Sequence, residues 1–283
     1  MRFLKALSSG TILAGFTAVA ASAEEVIGKP SQDGWWFQES ATPVMDKILE
    51  VHNIVFIIIC LITAFVTVLM LYIMIRFREK ANPVPSKTTH HVGLEIAWTI
   101  IPVILLLIMV VPSMQSLYQQ DRLPETEMTV KAVGNTWNWQ YTYPDYENIE
   151  EIISNPLPDK ATSAAAGKPY LLGTDAPLVV PVGTKVKVLV TSANNMHSWA
   201  VPSFGVKMDA VPGIINETWF EVYKEGTYYG QCSEICGILH YKMPIEVKVV
   251  SKAEFARWAA NGGSFGNDIA GNTNGATTVA ARD

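Results

Sequence analysis

Two long apolar runs, a stretch of alternating positions and a polar tail divide the chain. From Ile54 to Ile75 it reads IVFIIICLITAFVTVLMLYIMI, 22 residues without a charge. At about 1.5 Å per residue such a helix crosses a hydrocarbon core of roughly 30 Å. Arg76 and Arg78 end the run abruptly. A second uncharged run, IAWTIIPVILLLIMVVP, covers Ile96 to Pro112 and extends to Leu117. Pro102 inside it predicts a kink, which neighbouring helices in a bilayer tolerate. Either run alone would suit the buried helix of a soluble protein. Two so close together predict a membrane hairpin, with helices over 51–78 and 95–117 and a loop over 79–94. A weaker apolar stretch, Ala6 to Ala20, follows Arg2 and Lys5 and leads into Ala21-Ser22-Ala23. That is the layout of a cleaved signal peptide over 1–23. Ser8, Ser9, Gly10 and Gly15 weaken the alternative of an uncleaved anchor. Residues 24–50 then form an exported N-terminal segment. Arg76, Arg78, Lys80 and Lys87 cluster around the loop, so the positive-inside rule puts it in the cytoplasm. Everything after Leu117 lies outside.

Beyond Leu123 the period falls to two. The runs TVKAV, WNWQYTY, TKVKVLV, ETWFEVY, GTYYGQ and PIEVKVV predict short strands separated by turn residues. In WNWQYTY, alternation puts Trp137, Trp139, Tyr141 and Tyr143 on one face and Asn138, Gln140 and Thr142 on the other. Strands of this length and spacing predict an antiparallel Greek-key sandwich over 123–250. Residues Asn148 to Ala176 break the rhythm and predict a long irregular insertion. Ser251-Lys252-Ala253-Glu254 is a capping box opening a helix over 251–260. The Gly-, Asn- and Thr-rich stretch 261–283 predicts a flexible tail.

Charge and composition narrow the function. The chain has 283 residues, a net charge of -5 and no basic run, which argues against nucleic acid as a partner. It has only 3 cysteines. Cys60 lies in the first apolar run and reads as a small apolar residue. The other two fall in GQCSEICGILHYKM, residues 230–243, together with His240 and Met243. Soft sulfur ligands with imidazole suit copper or zinc. Structural zinc takes Cys and His, whereas a methionine closing the set suits copper. A mononuclear blue-copper site needs one cysteine, so two thiolates point to a bridged pair of ions, each with its own histidine. His240 supplies one. Of the 5 histidines, His52, His90 and His91 belong to the membrane region. That leaves His197, just after TKVKVLV, as the second. A Cys232–Cys236 disulfide is the plain alternative in an exported protein, but it leaves His240 and Met243 without a role.

Two membrane helices followed by an exported sandwich with C-S-E-I-C-G-x-x-H-x-x-M resemble cytochrome c oxidase subunit II of the haem-copper type. The resemblance covers nearly the whole chain after the signal peptide. It implies a two-helix transmembrane hairpin followed by an all-β cupredoxin-like Greek-key sandwich carrying a dinuclear, mixed-valence copper centre. By the family pattern Cys232 and Cys236 bridge two copper ions, His197 and His240 bind one ion each, and Met243 is a weak axial ligand. Glu234 gives its backbone carbonyl as the other axial ligand. Its carboxylate faces a magnesium or manganese ion shared with subunit I. GNTWNWQYTYPDY resembles the aromatic segment in which Trp137 takes the electron from cytochrome c, while Trp139 reads as core. THHVGLEIAWTIIP resembles the start of the second helix, where Glu95 lies near the mouth of a proton pathway. A carboxylate favoured by the helix dipole is the plain reading of Glu95. Two positions depart from the family pattern: Asn138 stands where an aromatic is usual, and Ile214 where an arginine is common.

The resemblance thus implies a subunit of a proton-pumping oxidase in a bacterial inner membrane, with its copper domain in the periplasm. Its partners would be subunit I, further oxidase subunits, membrane lipid and cytochrome c. Between Leu123 and Val250 acidic residues outnumber lysines 14 to 9, with no arginine. Such an excess suits docking of a basic cytochrome. Glu147, Glu150, Glu151 and Asp175 are the candidate docking acids. A membrane-anchored copper or zinc chaperone is the competing class, but it needs neither Glu95, Trp137 nor Glu234. Quinol-oxidizing relatives lack the copper ligands present here.

Overall fold

The first helix starts where the sequence supplies a cap, well before its uncharged run begins. Thr42 Oγ1 accepts from the Met45 N–H at 3.1 Å, Pro43 occupies the first turn, and α1 runs Pro43–Arg76. It therefore takes in the last residues of the segment expected to lie over 24–50. A computed structural model of the protein describes residues 26–31 and 34–265. The signal peptide expected over 1–23 and all but the first residues of the expected tail lie outside the described residues. The second helix, α2, runs Val92–Asp121 with Pro102 and Pro112 inside it. Both helices are long and apolar enough to cross a membrane, and their apolar middles are not buried by the rest of the chain.

The remaining strands are β1 (Val26–Gly28), β2 (Met128–Asn135), β3 (Asn138–Thr142), β4 (Ile152–Ser154), β5 (Leu178–Pro181) and β6 (Lys185–Ser192). They continue with β7 (His197–Val201), β8 (Val206–Ala210), β9 (Asn216–Glu221), β10 (Gly226–Gln231) and β11 (Pro244–Val250). One sheet has the order β1-β10-β11-β5, the other β4-β3-β2-β6-β9, and β7-β8 forms a ribbon beside them. Alternation does the sorting. Met128, Val130 and Ala132 of β2, Val186, Val188 and Val190 of β6, and Trp139 and Tyr141 of β3 turn inward. They meet Leu178, Tyr228, Ile245 and Val247 of the other sheet in one core. The architecture is the expected helical hairpin followed by a cupredoxin-like sandwich.

The sandwich is not purely antiparallel, as the strand pattern had predicted. β2 pairs with β6, β11 with β5 and β1 with β10 in parallel. Parallel partners need long crossovers, and the insertion supplies one. It is also more ordered than its composition suggests: it holds β4, a short helix α3 (Lys160–Ala165) and a closed stem. At the stem the Asn155 N–H donates to Asp175 Oδ1 at 2.7 Å, and Asn155 Nδ2 donates to Asp175 Oδ2 at 3.1 Å. Lys168 anchors the loop inward through an ion pair with the buried Glu246 at 2.9 Å. After β11, the Ser251 hydroxyl accepts from the Glu254 N–H at 3.1 Å and opens α4 (Lys252–Ala260). Its Trp258 packs edge-on to Tyr143.

The helices are tied to the sandwich by polar contacts at their outer ends. Trp219 Nε1 donates to the Gln119 carbonyl at 3.2 Å, and the Tyr223 hydroxyl to Asp46 Oδ2 at 2.8 Å.

Candidate metal centre

The registers bring three separate segments to one end of the sandwich. β2 and β6 finish side by side, Gly134 opposite Ser192. The chain then turns back so that β7 begins at His197, and the loop after β10 carries Cys232, Cys236 and His240 before β11 starts behind Met243. The Cys232 N–H donates to the Met243 carbonyl at 2.9 Å, closing the base of that loop. Gly134 makes room for the first imidazole: a Cβ there would lie 2.8 Å from His197 Cδ2.

The donor atoms converge. Cys232 Sγ lies 3.8 Å from Cys236 Sγ and 3.8 Å from His197 Nδ1. Cys236 Sγ lies 3.5 Å from His240 Nδ1 and 3.9 Å from Met243 Sδ. The Glu234 carbonyl oxygen lies 3.3 Å from Cys232 Sγ. Both cysteines are free, so the disulfide alternative is not what the loop holds. The sulfur pair therefore has one imidazole at each end, His197 beside Cys232 and His240 beside Cys236. A sulfur separation of 3.8 Å is less than twice a metal–thiolate bond of about 2.3 Å. An ion on either side of the pair thus reaches both sulfurs. His197, Cys232 and Cys236 alone already place their ligand atoms within 4.8 Å of one another, all buried. The donor set fits the copper pair that the resemblance implies.

Electrostatics prepare the ligands differently. Burial, and then the Cys232 sulfur, push the Cys236 thiol up to about 12, so a bound cation must displace its proton. Burial, and then His240, hold His197 below the ordinary imidazole range and favour the neutral ring that a metal needs. Asn194 sets its tautomer. Asn194 Oδ1 accepts from the Asn195 N–H at 2.8 Å and from His197 Nε2 at 3.1 Å, leaving Nδ1 bare toward the sulfurs.

Trp137 is not on the strand face where alternation had put it. It sits half-buried in the turn between β2 and β3, and its Nε1 donates to the Cys236 carbonyl at 3.1 Å. Gly237, at φ +122°, lies under the indole; a Cβ would approach it to 3.2 Å. Trp139 is core, fully buried with its ring edge-on to His197 at 6.1 Å. Asn138 donates through Nδ2 to Asn155 Oδ1 at 3.0 Å, so in this chain the position ties the turn to the insertion stem. Ile214 is exposed beside an equally exposed Ile215.

The four candidate acids lie at two ends of the sandwich. Trp139 pairs with Ser154 and Tyr141 with Ile152, so Glu147, Glu150 and Glu151 lie beyond the end of β3 away from Trp137. β3 carries the chain to the other pole before they occur. Asp175 is near the Trp137 end, but both its oxygens accept from Asn155. Glu95 lies in the first turn of α2, far along the chain from this site. Its Oε1 accepts from the His91 N–H at 3.2 Å while His91 Nδ1 accepts from the Leu94 N–H at 3.2 Å, a reciprocal cap. Sequence reasoning missed Gly134, Asn194 and Asn195, which a register alone brings to the ligands.

Fold and site together define a cupredoxin-like domain with a His/Cys cluster able to hold a metal, joined to two helices long and apolar enough to cross a membrane. Residues 128–250 match the family profile described as cytochrome C oxidase subunit II, periplasmic domain, and residues 30–116 match its transmembrane domain. The cytochrome c oxidase subunit 2 of Cereibacter sphaeroides is 42% identical over 91% of this chain and 90% of its own. The probable cytochrome c oxidase subunit 2 of Rickettsia prowazekii (strain Madrid E) is 47% identical over 79% of this chain and 71% of its own. The crystal structure of the periplasmic domain of subunit II of cytochrome oxidase of Bradyrhizobium japonicum is 45% identical. It covers 50% of this chain and 96% of that one, with a TM-score of 0.45. The chain belongs to the cytochrome c oxidase subunit II family.

Proposed function

We propose that the chain accepts electrons from cytochrome c at a dinuclear copper centre and passes them to the haem of subunit I, where oxygen is reduced to water. The observation that carries this reading is the sulfur pair at 3.8 Å with one imidazole at each end. Copper, when bound, would supply a one-electron redox couple. The chain's own residues do the rest. Cys232 and Cys236 would hold the copper pair, with His197 and His240 each serving one ion. Met243, fully buried, and the Glu234 carbonyl would add weaker contacts to the bound metal. Burial keeps water off the sulfurs, so little reorganizes when charge changes. In each transfer one electron would leave a ferrous haem of cytochrome c, which becomes ferric, and be taken up at the metal site. Trp137 would bridge the gap and itself stay unchanged.

The same reading assigns Glu234 a carboxylate contact to a magnesium or manganese ion shared with subunit I. It places Glu95 near a proton pathway of a pumping oxidase. It sets the hairpin in a bacterial inner membrane, with residues 1–23 as a cleaved signal peptide, the loop 79–94 in the cytoplasm and the copper domain in the periplasm. The test is metal content and electron paramagnetic resonance of the purified full chain. Two coppers sharing one unpaired electron, with a purple colour, are expected. One copper per chain, or a redox-silent zinc, would overturn the proposal.

A further inference from the structure

The carbonyl oxygen of Cys236 receives two donors. Trp137 Nε1 reaches it at 3.1 Å and Asn195 Nδ2 at 2.8 Å. A carbonyl oxygen cannot donate, so the Asn195 amide has only one possible orientation. Its Oδ1 then faces outward and accepts from the Thr136 hydroxyl at 3.2 Å. Thr136 and Trp137 are neighbours in the turn between β2 and β3. The contacts thus close a ring from Asn195 to Cys236, from Cys236 to Trp137, and from Thr136 back to Asn195.

Asn195 is itself pinned. The Ser192 hydroxyl donates to its carbonyl at 2.5 Å, and its N–H donates to Asn194 Oδ1, the oxygen that also receives His197 Nε2. An exposed asparagine ordinarily spends its amide on water. This one is exposed, yet both ends of its amide are committed within the protein.

We infer that Asn195 is a positioning residue for electron uptake, holding the Trp137 indole in register with the backbone of Cys236, which carries one of the two sulfurs. The inference rests on the uptake role proposed for Trp137. The indole is half-buried, packs over Gly237 and lies against the edge of the core. Its own hydrogen bond fixes the ring at one point, while the turn is closed by the Asn135–Asn138 pair and tied on its other side through Asn138 to Asn155. The Asn195 amide adds a tether on the sulfur-loop side, joining Thr136 to the same Cys236 carbonyl that receives the indole.

Asn195→Asp keeps size and the acceptor for Thr136 but sets a carboxylate oxygen against the Cys236 carbonyl. Thr136→Val removes the opposite end of the tether and leaves Asn195 intact. In the copper-free full chain labelled with ¹⁵N-tryptophan, the Trp137 indole N–H is assigned by its loss in Trp137→Phe. Its hydrogen exchange is expected to quicken roughly tenfold in Asn195→Asp, the equivalent of one hydrogen bond, and in the same direction in Thr136→Val. In the copper-loaded chain, transfer within the bound complex is read by stopped flow at saturating ferrous cytochrome c. It should slow by roughly tenfold in both variants, with the paramagnetic spectrum unchanged and, in the charge-neutral Thr136→Val, binding unchanged as well. Unchanged indole exchange in both variants overturns the inference, whatever the transfer rate. Faster exchange with a normal transfer rate overturns it as well. Trp137→Phe in the same assay then shows which reading has fallen. Normal transfer there means that the uptake role of Trp137 has failed, and slow transfer means that only the Asn195 inference has.

Discussion

At position 134 a single hydrogen decides where an imidazole sits. A Cβ there would lie 2.8 Å from His197 Cδ2 and 3.0 Å from its Cβ, with the β2 backbone unable to retreat because it pairs with both β3 and β6. Gly134→Ala is therefore expected to push His197 off the sulfurs while the sandwich stays folded. Copper affinity should fall by roughly 10-fold to 100-fold, as when other supports of a ligand are removed. Titration against a chelator, beside circular dichroism, checks it; wild-type affinity would mean that this contact does not place the ring. The sulfur ligands should separate by role in the same way. Cys232→Ser removes a bridge and is expected to abolish the shared-electron spectrum. Met243→Leu keeps volume in a fully buried site and should retain both coppers at a shifted potential. Identical behaviour of the two variants would show that bridge and axial ligand are wrongly assigned. The convergent donor cluster was legible because its chemistry is in the letters C, H and M at short spacing. Gly134, Asn194 and Asn195 were not, because nothing local marks a glycine or asparagine that matters only through a partner strand.

Elements were legible where periodicity is local. The strands β2, β6 and β11 read directly from alternation, and α4 from its capping box. The start of α1 was also written, in Thr42-Pro43 with Asp46 in the first turn, but an apolar run is a louder signal than a cap. Parallel pairing of β2 with β6 was not legible, since it depends on a crossover spanning the insertion. Nor was the order within that insertion. Its composition suggests a solvated loop, yet Lys168 and Glu246 meet at 2.9 Å with only 3% of the Glu246 side chain exposed. The Thr174 N–H adds a bond of 2.7 Å to the same carboxylate. Removing one partner of a buried pair leaves the other uncompensated, so Lys168→Met is expected to cost about 3–5 kcal/mol. Lys187 and Glu217, on β6 and β9, form an exposed pair at 3.2 Å, and Lys187→Met should cost no more than about 1 kcal/mol. Urea midpoints followed by tryptophan fluorescence compare the two. Equal costs would mean that Glu246 does not depend on Lys168 for compensation.

On the scale of the whole molecule, the sandwich has two poles with different work. One end gathers the sulfurs, both imidazoles and Trp137; the other turns β3 into β4 past Glu147, Glu150 and Glu151. From Asn138 to Thr142 the chain advances about 3.3 Å per residue, or roughly 13 Å, before those acids are reached. Exposed charges are screened over about 8 Å at physiological salt. Their field at Trp137 is therefore weak, and the acidic excess of the domain overstates what a cytochrome c docked there would feel. Neutralizing all three, as Glu147→Gln, Glu150→Gln and Glu151→Gln together, is expected to change association with cytochrome c and its salt dependence by less than about twofold. Trp137→Phe should do something different: binding unchanged, because no charge is altered, and transfer within the bound complex slowed by a large factor. Asp175, near the Trp137 end but committed to Asn155, makes a third case. Asp175→Asn should loosen the insertion stem before it weakens docking, and a lowered urea midpoint at normal association would show that order. Stopped-flow rates over a range of ionic strength separate the three variants. A steep loss of association in the triple variant would mean that cytochrome c docks toward the pole opposite the sulfurs. Trp137 would then lie too far from the donor haem to receive its electron directly.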